Sequence, residues 1–223
     1  MTQSHLKLTR LLQLASPALP VGAYSYSQGL ESAIESRLVH DEATTLAWIT
    51  DVLELTVAQM EAPLFLRLHA AWGSGDERAA QEWNEMFVAS RETAELRAET
   101  LQMGYSLARL LGEVGQAHPF ATWEDVSMPA AFTWWAARCD IAAPESLVAY
   151  LWSWAENQVV AAMKAVPLGQ SAGQRMLLTL GLCIAEQVAR AQALADEALG
   201  GLAPALAMLS SQHETQYSRL FRS

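Results

Sequence analysis

Apolar side chains recur along this chain at helical spacing, broken by prolines and glycines, so the pattern predicts a series of helices with punctuated turns. A first helix is expected from about Leu6 to Leu14. The segment Ser16-Pro17-Ala18-Leu19-Pro20-Val21-Gly22 follows, where two prolines and a glycine exclude regular helix and leave a shaped loop. Helix resumes near Ser25 or Ser27 and runs to Arg37, with Leu30, Ile34 and Leu38 on one face. Asp41 is placed to cap a long helix bearing Leu46, Ile49, Leu53 and Val57, and Pro63 should kink or break it before Leu64-Phe65-Leu66. Gly73-Ser74-Gly75 ends that run.

The capping-box spacing of Ser74 and Glu77 opens a helix over Asp76 to Ala89, and Ser90 is placed to cap the next, which reaches Leu111 before Gly112 and Gly115. Ala117 to Met128 reads as irregular or short-helical, and Met128 to Cys139 as an aromatic, apolar helix. Pro144 at the first helical position starts Glu145 to Val166, closed by Pro167-Leu168-Gly169. Gln170 to Leu199 reads as one long helix stopped by Gly200-Gly201, and Pro204 to Gln212 as a last helix before the tail His213 to Ser223. Alanine and leucine abound while valine and isoleucine are scarce, which favours helix over strand. The expectation is an all-α single domain over residues 1–223, a bundle of about eight to ten helices with an ordered N-terminal loop and a C-terminal tail.

Composition narrows the function classes. At 223 residues and 52% hydrophobic content the chain is long and apolar enough to bury a core without disulfides. A net charge of −10 argues against nucleic acid or anionic lipid as a partner. Cys139 and Cys183 lack metal-knuckle spacing and read as buried small hydrophobes in a reducing compartment. The stretch Met176–Ala185 is far shorter than a membrane span. Lys7 and Arg10 precede an apolar run that imitates a secretion signal, but Gln13, Pro17 and Pro20 spoil it, so the expected location is the cytoplasm.

Catalytic and metal motifs are missing. No serine sits in a nucleophile elbow, no Gly-Lys pair forms a phosphate cradle, and no histidine follows a glutamate at the Glu-x-x-His spacing. His213-Glu214 reads as a solvated polar pair near a terminus. Trp134, Trp135, Trp152 and Trp154 read as core. Three segments have unusual composition. Ser16 to Glu31 crowds prolines, glycines, tyrosines and serines ahead of a carboxylate, open to reading either as a capped turn or as hydroxyls and an acid presented outward. Lys164, one of only two lysines, stands at a helix C-terminus, where a cation meets the dipole. The tail Tyr217-Ser218-Arg219-Leu220-Phe221-Arg222-Ser223 either frays or supplies interface anchors.

These segments resemble the urease accessory protein F family (UreF). Leu11 through Glu31 is similar to that family's N-terminal signature; Arg91–Arg97 with Gln102-Met103-Gly104 resembles its central helix; Lys164–Gln170 through Gly173-Gln174, and His213–Ser223, resemble its C-terminal half. The N-terminal lead of this chain is shorter than the arm some members carry, and Gly112 to Met128 shows no family motif. The resemblance implies an all-α, non-enzymatic, cytoplasmic homodimer. Its implied partners are accessory protein D (H in some organisms), the GTPase accessory protein G and apo-urease, with GTP hydrolysis coupled to nickel placement. Nickel would only pass through, with no resident cofactor and no metal ligands. By the same resemblance Tyr24 and Arg219 recruit the GTPase or hold the tail that does so, and Glu31 and Lys164 control the GTPase surface. Gly22, Ser27, Gln28, Glu95, Arg97, Pro167, Gln170 and Tyr217 complete the implied partner-binding set. Two rival readings stand beside it: an all-α enzyme using Glu31, Lys164, Tyr24 and Ser27, and a direct nickel-binding metallochaperone using His213, His5 or Cys139.

Overall fold

The computed structural model describes every residue except Met1 and Leu202, and among the described residues it is helical without strands. Ten α-helices follow in order: α1 Thr2–Leu14, α2 Leu30–Glu35, α3 Glu42–Val52, α4 Ala62–Ser74, α5 Glu77–Ala89, α6 Ala94–Glu113, α7 Met128–Arg138, α8 Ala143–Ala165, α9 Gln170–Ala193 and α10 Pro204–His213. The all-α expectation holds.

Helix α4 is the central post and packs on α5, α7, α8 and α9. Its Phe65 meets Phe132 of α7 and Tyr150 of α8, with ring centroids 5.7 and 5.0 Å away, at the heart of the core. Trp134 and Trp135 are buried as expected, whereas Trp152 and Trp154 are only half-buried at its edge. Both cysteines are likewise half-buried. The irregular stretch between α6 and α7 is pinned by Phe120 and Trp123, which pack around Trp72 of α4.

Pro63 does not break its helix. Residues Leu53–Glu61 form a π-helical segment that joins α3 to α4 in one continuous rod, and Ala62 donates its N–H to the carbonyl of Val57, five residues back. The wider turn accommodates the proline ring. Pro63 has no N–H for the carbonyl of Gln59, and Gly200 supplies one from outside the helix at 3.3 Å. The pair read as a helix stop therefore plugs a gap in another helix.

Cap residues also differ from the sequence reading. Asp41 caps α3 through a box with Thr44, as expected. Asp76, not Ser74, caps α5 by accepting the N–H of Ala79, because Gly75 takes the left-handed turn that ends α4. Thr93, not Ser90, caps α6; Ser90 closes α5. Helix α9 stops at Ala193, short of Leu199, where Arg67 captures the Leu194 carbonyl and pairs with Asp196.

Gly104 is a close-approach position. A Cβ there would meet the Val126 carbonyl oxygen at 2.1 Å, so the small residue lets the chain entering α7 lie on α6.

Candidate functional site

The loop between α1 and α2 turns at Gly22, forms one 3₁₀ turn over Ala23–Ser25, then reverses through two successive left-handed residues, Gln28 and Gly29. That reversal delays α2 to Leu30, later than its apolar pattern suggested. It also brings Gly29 against Leu206 and Ser210 of α10, where a side chain would crowd both. Loop and C-terminal segment are thereby neighbours.

Residues 214–223 are not a frayed end. Ser27 donates its N–H to the Ser223 main-chain oxygen at 2.8 Å, and its hydroxyl reaches the same atom. Arg222 N–H donates to Ser25 O at 2.7 Å. Glu31, on the first turn of α2, accepts the N–H groups of Leu220 and Phe221 at 2.6 and 2.9 Å. The Phe221 ring is buried beside Leu30, Ala33, Ala161 and Val166. Lys164 lays its ammonium over both the Tyr24 and Phe221 rings, 5.5 and 5.6 Å from their centroids.

Behind this docked segment lies a charged cluster. His213, 0% exposed, has one ring nitrogen 2.7 Å from Glu95 and the other 3.1 Å from Glu31. This corrects the reading of His213 as solvated: the last turn of α10 is clamped between α2 and α6, so the ring is covered. Arg219 reaches over the outside to donate to Glu95 at 2.7 Å. Glu214 accepts the N–H of Ala94 at the α6 N-terminus. The two carboxylates meet opposite sides of the ring rather than a common point, and among the described residues no cluster of His, Cys, Asp and Glu is placed to hold a metal ion.

Deeper still, Glu99 lies one helical turn beyond Glu95 and accepts from Gln28 at 2.7 Å and from the Ser223 hydroxyl at 2.8 Å. Trp154 donates its indole N–H to the other end of the Gln28 amide at 2.7 Å. Burial pushes the Glu99 carboxyl up to about 7, reinforced by the nearby Glu61 carboxylate and opposed by the hydrogen bonds of Gln28 and Ser223. Glu61 is itself buried, paired with Arg91 at 3.1 Å and hydrogen-bonded by the Tyr150 hydroxyl, whose ionisation is held well above its ordinary value by burial and by Glu61. Gln28, Glu61, Arg91, Glu99, Tyr150 and Trp154 line a cavity of about 80 Å³ together with the loop residues Pro17, Leu19 and Tyr24.

Of the residues singled out from sequence, Tyr24, Ser27, Gln28, Glu31, Glu95, Lys164 and Arg219 converge here, with Gly22 shaping the loop. Arg97 points elsewhere and pairs with Asp125 at 2.8 Å. Pro167 and Gln170 are exposed in the α8–α9 turn and Tyr217 stands fully in solvent. Sequence reasoning left His213, Trp154 and Phe221 out of the partner-binding set, reading Trp154 as core and Phe221 as part of a tail that frays or anchors, and missed Glu99. The spacing of Glu95 and Glu99 on one helix face was the available signal for the buried acid.

The fold and this cluster define an all-helical protein in which an N-terminal loop and a C-terminal segment are bound together into one charged face. The UreF family model matches residues 39–181, and relatives extend the likeness beyond both of its ends. The urease accessory protein UreF of Azoarcus sp. (strain BH72) is 55% identical, covering 98% of this chain and 96% of that protein. UreF of Cupriavidus necator (strain H16) is 49% identical over the whole of both chains. The chain also matches, at 52% identity, 52% of the length of the bifunctional urease accessory protein UreEF of Bordetella bronchiseptica. This chain belongs to the UreF family of urease accessory proteins.

Proposed function

We propose that this chain is a non-catalytic adaptor, dimeric and cytoplasmic, that joins accessory protein D/H to the GTPase accessory protein G. The assembly docks on apo-urease, and GTP hydrolysis is coupled to placing nickel in the urease active site, nickel being cargo in transit. The observation that carries this reading is the convergence of Tyr24, Glu31, Lys164 and residues 219–221 on one face. An arginine, two aromatic rings and a lysine on a rigid frame are the anchor types of protein interfaces. The fused UreEF relative fits work within a larger accessory assembly.

The rival enzyme reading needs Glu31 and Lys164 free to exchange protons with a substrate. Both Glu31 oxygens are engaged by the docked segment and His213, and the Lys164 ammonium sits over two rings, which favours the adaptor. Size-exclusion chromatography with light scattering, on the chain mixed with its D/H and G proteins, a GTP analogue and nickel, tests the proposal. Co-elution in a defined assembly is the expected result. A chain that elutes alone under every condition contradicts it.

A further inference from the structure

Glu99 is a buried acid without an ion-pair partner among the described residues. Its neighbours are accounted for: Glu61 of the π-helical segment is neutralised by Arg91 and hydrogen-bonded by Tyr150 of α8. From the N-terminal loop Gln28 donates to one Glu99 oxygen and Tyr26 lies close; from the C-terminal segment Ser223 donates to the other oxygen and the Arg222 guanidinium lies near the Tyr26 hydroxyl. The remaining charges on this face, Glu31, Glu95, His213 and Arg219, bond one another in the adjoining layer.

We propose that seating of residues 217–223 is linked to protonation of Glu99, so the segment docks with uptake of a proton and is released as the proton leaves. The geometry gives the sign. The docked segment covers the Glu99 carboxyl with Ser223 and pairs no cation with it, and the loss of water disfavours the carboxylate more than the serine hydroxyl's bond favours it. Lifting the segment readmits water and relieves the largest of the forces that hold the acid protonated. A group whose value is raised in the docked state, here to about 7, strengthens docking fully below the ordinary carboxylate range and loses that contribution as pH rises through 7. This device lies beyond the adaptor reading, and its test uses the isolated chain, so either can fail alone.

The measurement is the rate of trypsin cleavage after Arg219 in the folded chain, divided by the rate for a free peptide of residues 214–223 at the same pH. Between pH 6 and pH 8 that ratio is expected to rise on the order of tenfold in the natural sequence. It should stay flat in Glu99→Gln, whose amide oxygen can still accept from Gln28 while its NH2 donates to the Ser223 hydroxyl oxygen, and which removes the proton equilibrium. A flat ratio in the natural sequence overturns the proposal, as does an equal rise in Glu99→Gln, which would assign the effect to another group. A carbon-13 titration of the Glu99 carboxyl supplies a second readout independent of that variant. A midpoint near 7, lowered when Glu31→Ala frees the segment, supports the linkage. A midpoint in the ordinary carboxylate range in the intact chain refutes it.

Discussion

Glu31 accepts the main-chain N–H of Phe221 at 2.9 Å, so an acid on α2 holds a residue 190 positions further along the chain. The same carboxylate takes the N–H of Leu220 and faces His213, which makes it the hub of the docked segment. Charge-assisted bonds of this kind contribute about 1.5–3 kcal/mol each. Glu31→Ala should therefore leave helicity unchanged by circular dichroism while trypsin cleavage after Arg219 and Arg222 accelerates by about tenfold or more. An unchanged cleavage rate would show that Phe221 burial and the contacts of the segment with Ser25, Ser27 and Glu95 hold it without Glu31.

The place to cut the chain follows from the burial of His213. Removing residues 213–223 would take away a covered ring and leave Glu31 and Glu95 facing each other unpaired. Ending the chain after Gln216 keeps His213 between the two carboxylates and removes only the outer contacts of Arg219, Leu220 and Phe221 with them. The truncated chain should keep its helicity and lose assembly with the D/H and G proteins. A stable ternary complex from it would detach the segment from partner binding.

Tyr24→Ala and Arg219→Ala should fold normally and weaken binding to the GTPase by on the order of tenfold, the loss typical of an interface anchor. Lys164→Gln should act in the same direction, because it removes the cation that lies over Tyr24 and Phe221. Calorimetric titration of each folded variant against the GTPase checks this. Unaltered affinity in all three would move the interface elsewhere on the molecule.

Gly104→Ala tests the close approach of α6 to the chain entering α7. A backbone oxygen lies 2.1 Å from where the new methyl group would stand, so nothing flexible can yield. The substitution should destabilise the protein by about 1–3 kcal/mol or more and lower the thermal midpoint, although alanine is the better helix former. A raised midpoint would mean the two segments separate easily.

Much of the helical layout was legible because local rules govern it. Leu46, Ile49, Leu53 and Val57 announced α3 and its continuation, and Asp41 its cap. Pro63 misled because its remedy is remote: the unserved Gln59 carbonyl is met by Gly200, far along the chain. His213 misled for the same reason, since α2 and α6 cover it and neither adjoins it in sequence. The candidate face was visible in its residue types, through Tyr24, Glu31, Lys164 and Arg219, but its assembly was not. Contacts between an N-terminal loop and a C-terminal segment leave no periodicity to read, and Glu99 acquires its character only once Gln28 and Ser223 close over it.

Amide hydrogen exchange at Leu220 and Phe221 in the isolated chain tests the central claim, that the loop and the C-terminal segment form one preformed face. Both amides should exchange slowly in the natural sequence and quickly in Glu31→Ala, while Tyr217, which stands in solvent, exchanges quickly in both. Rapid exchange at Leu220 and Phe221 in the natural sequence would contradict the account, because the face would then have to be assembled by a partner.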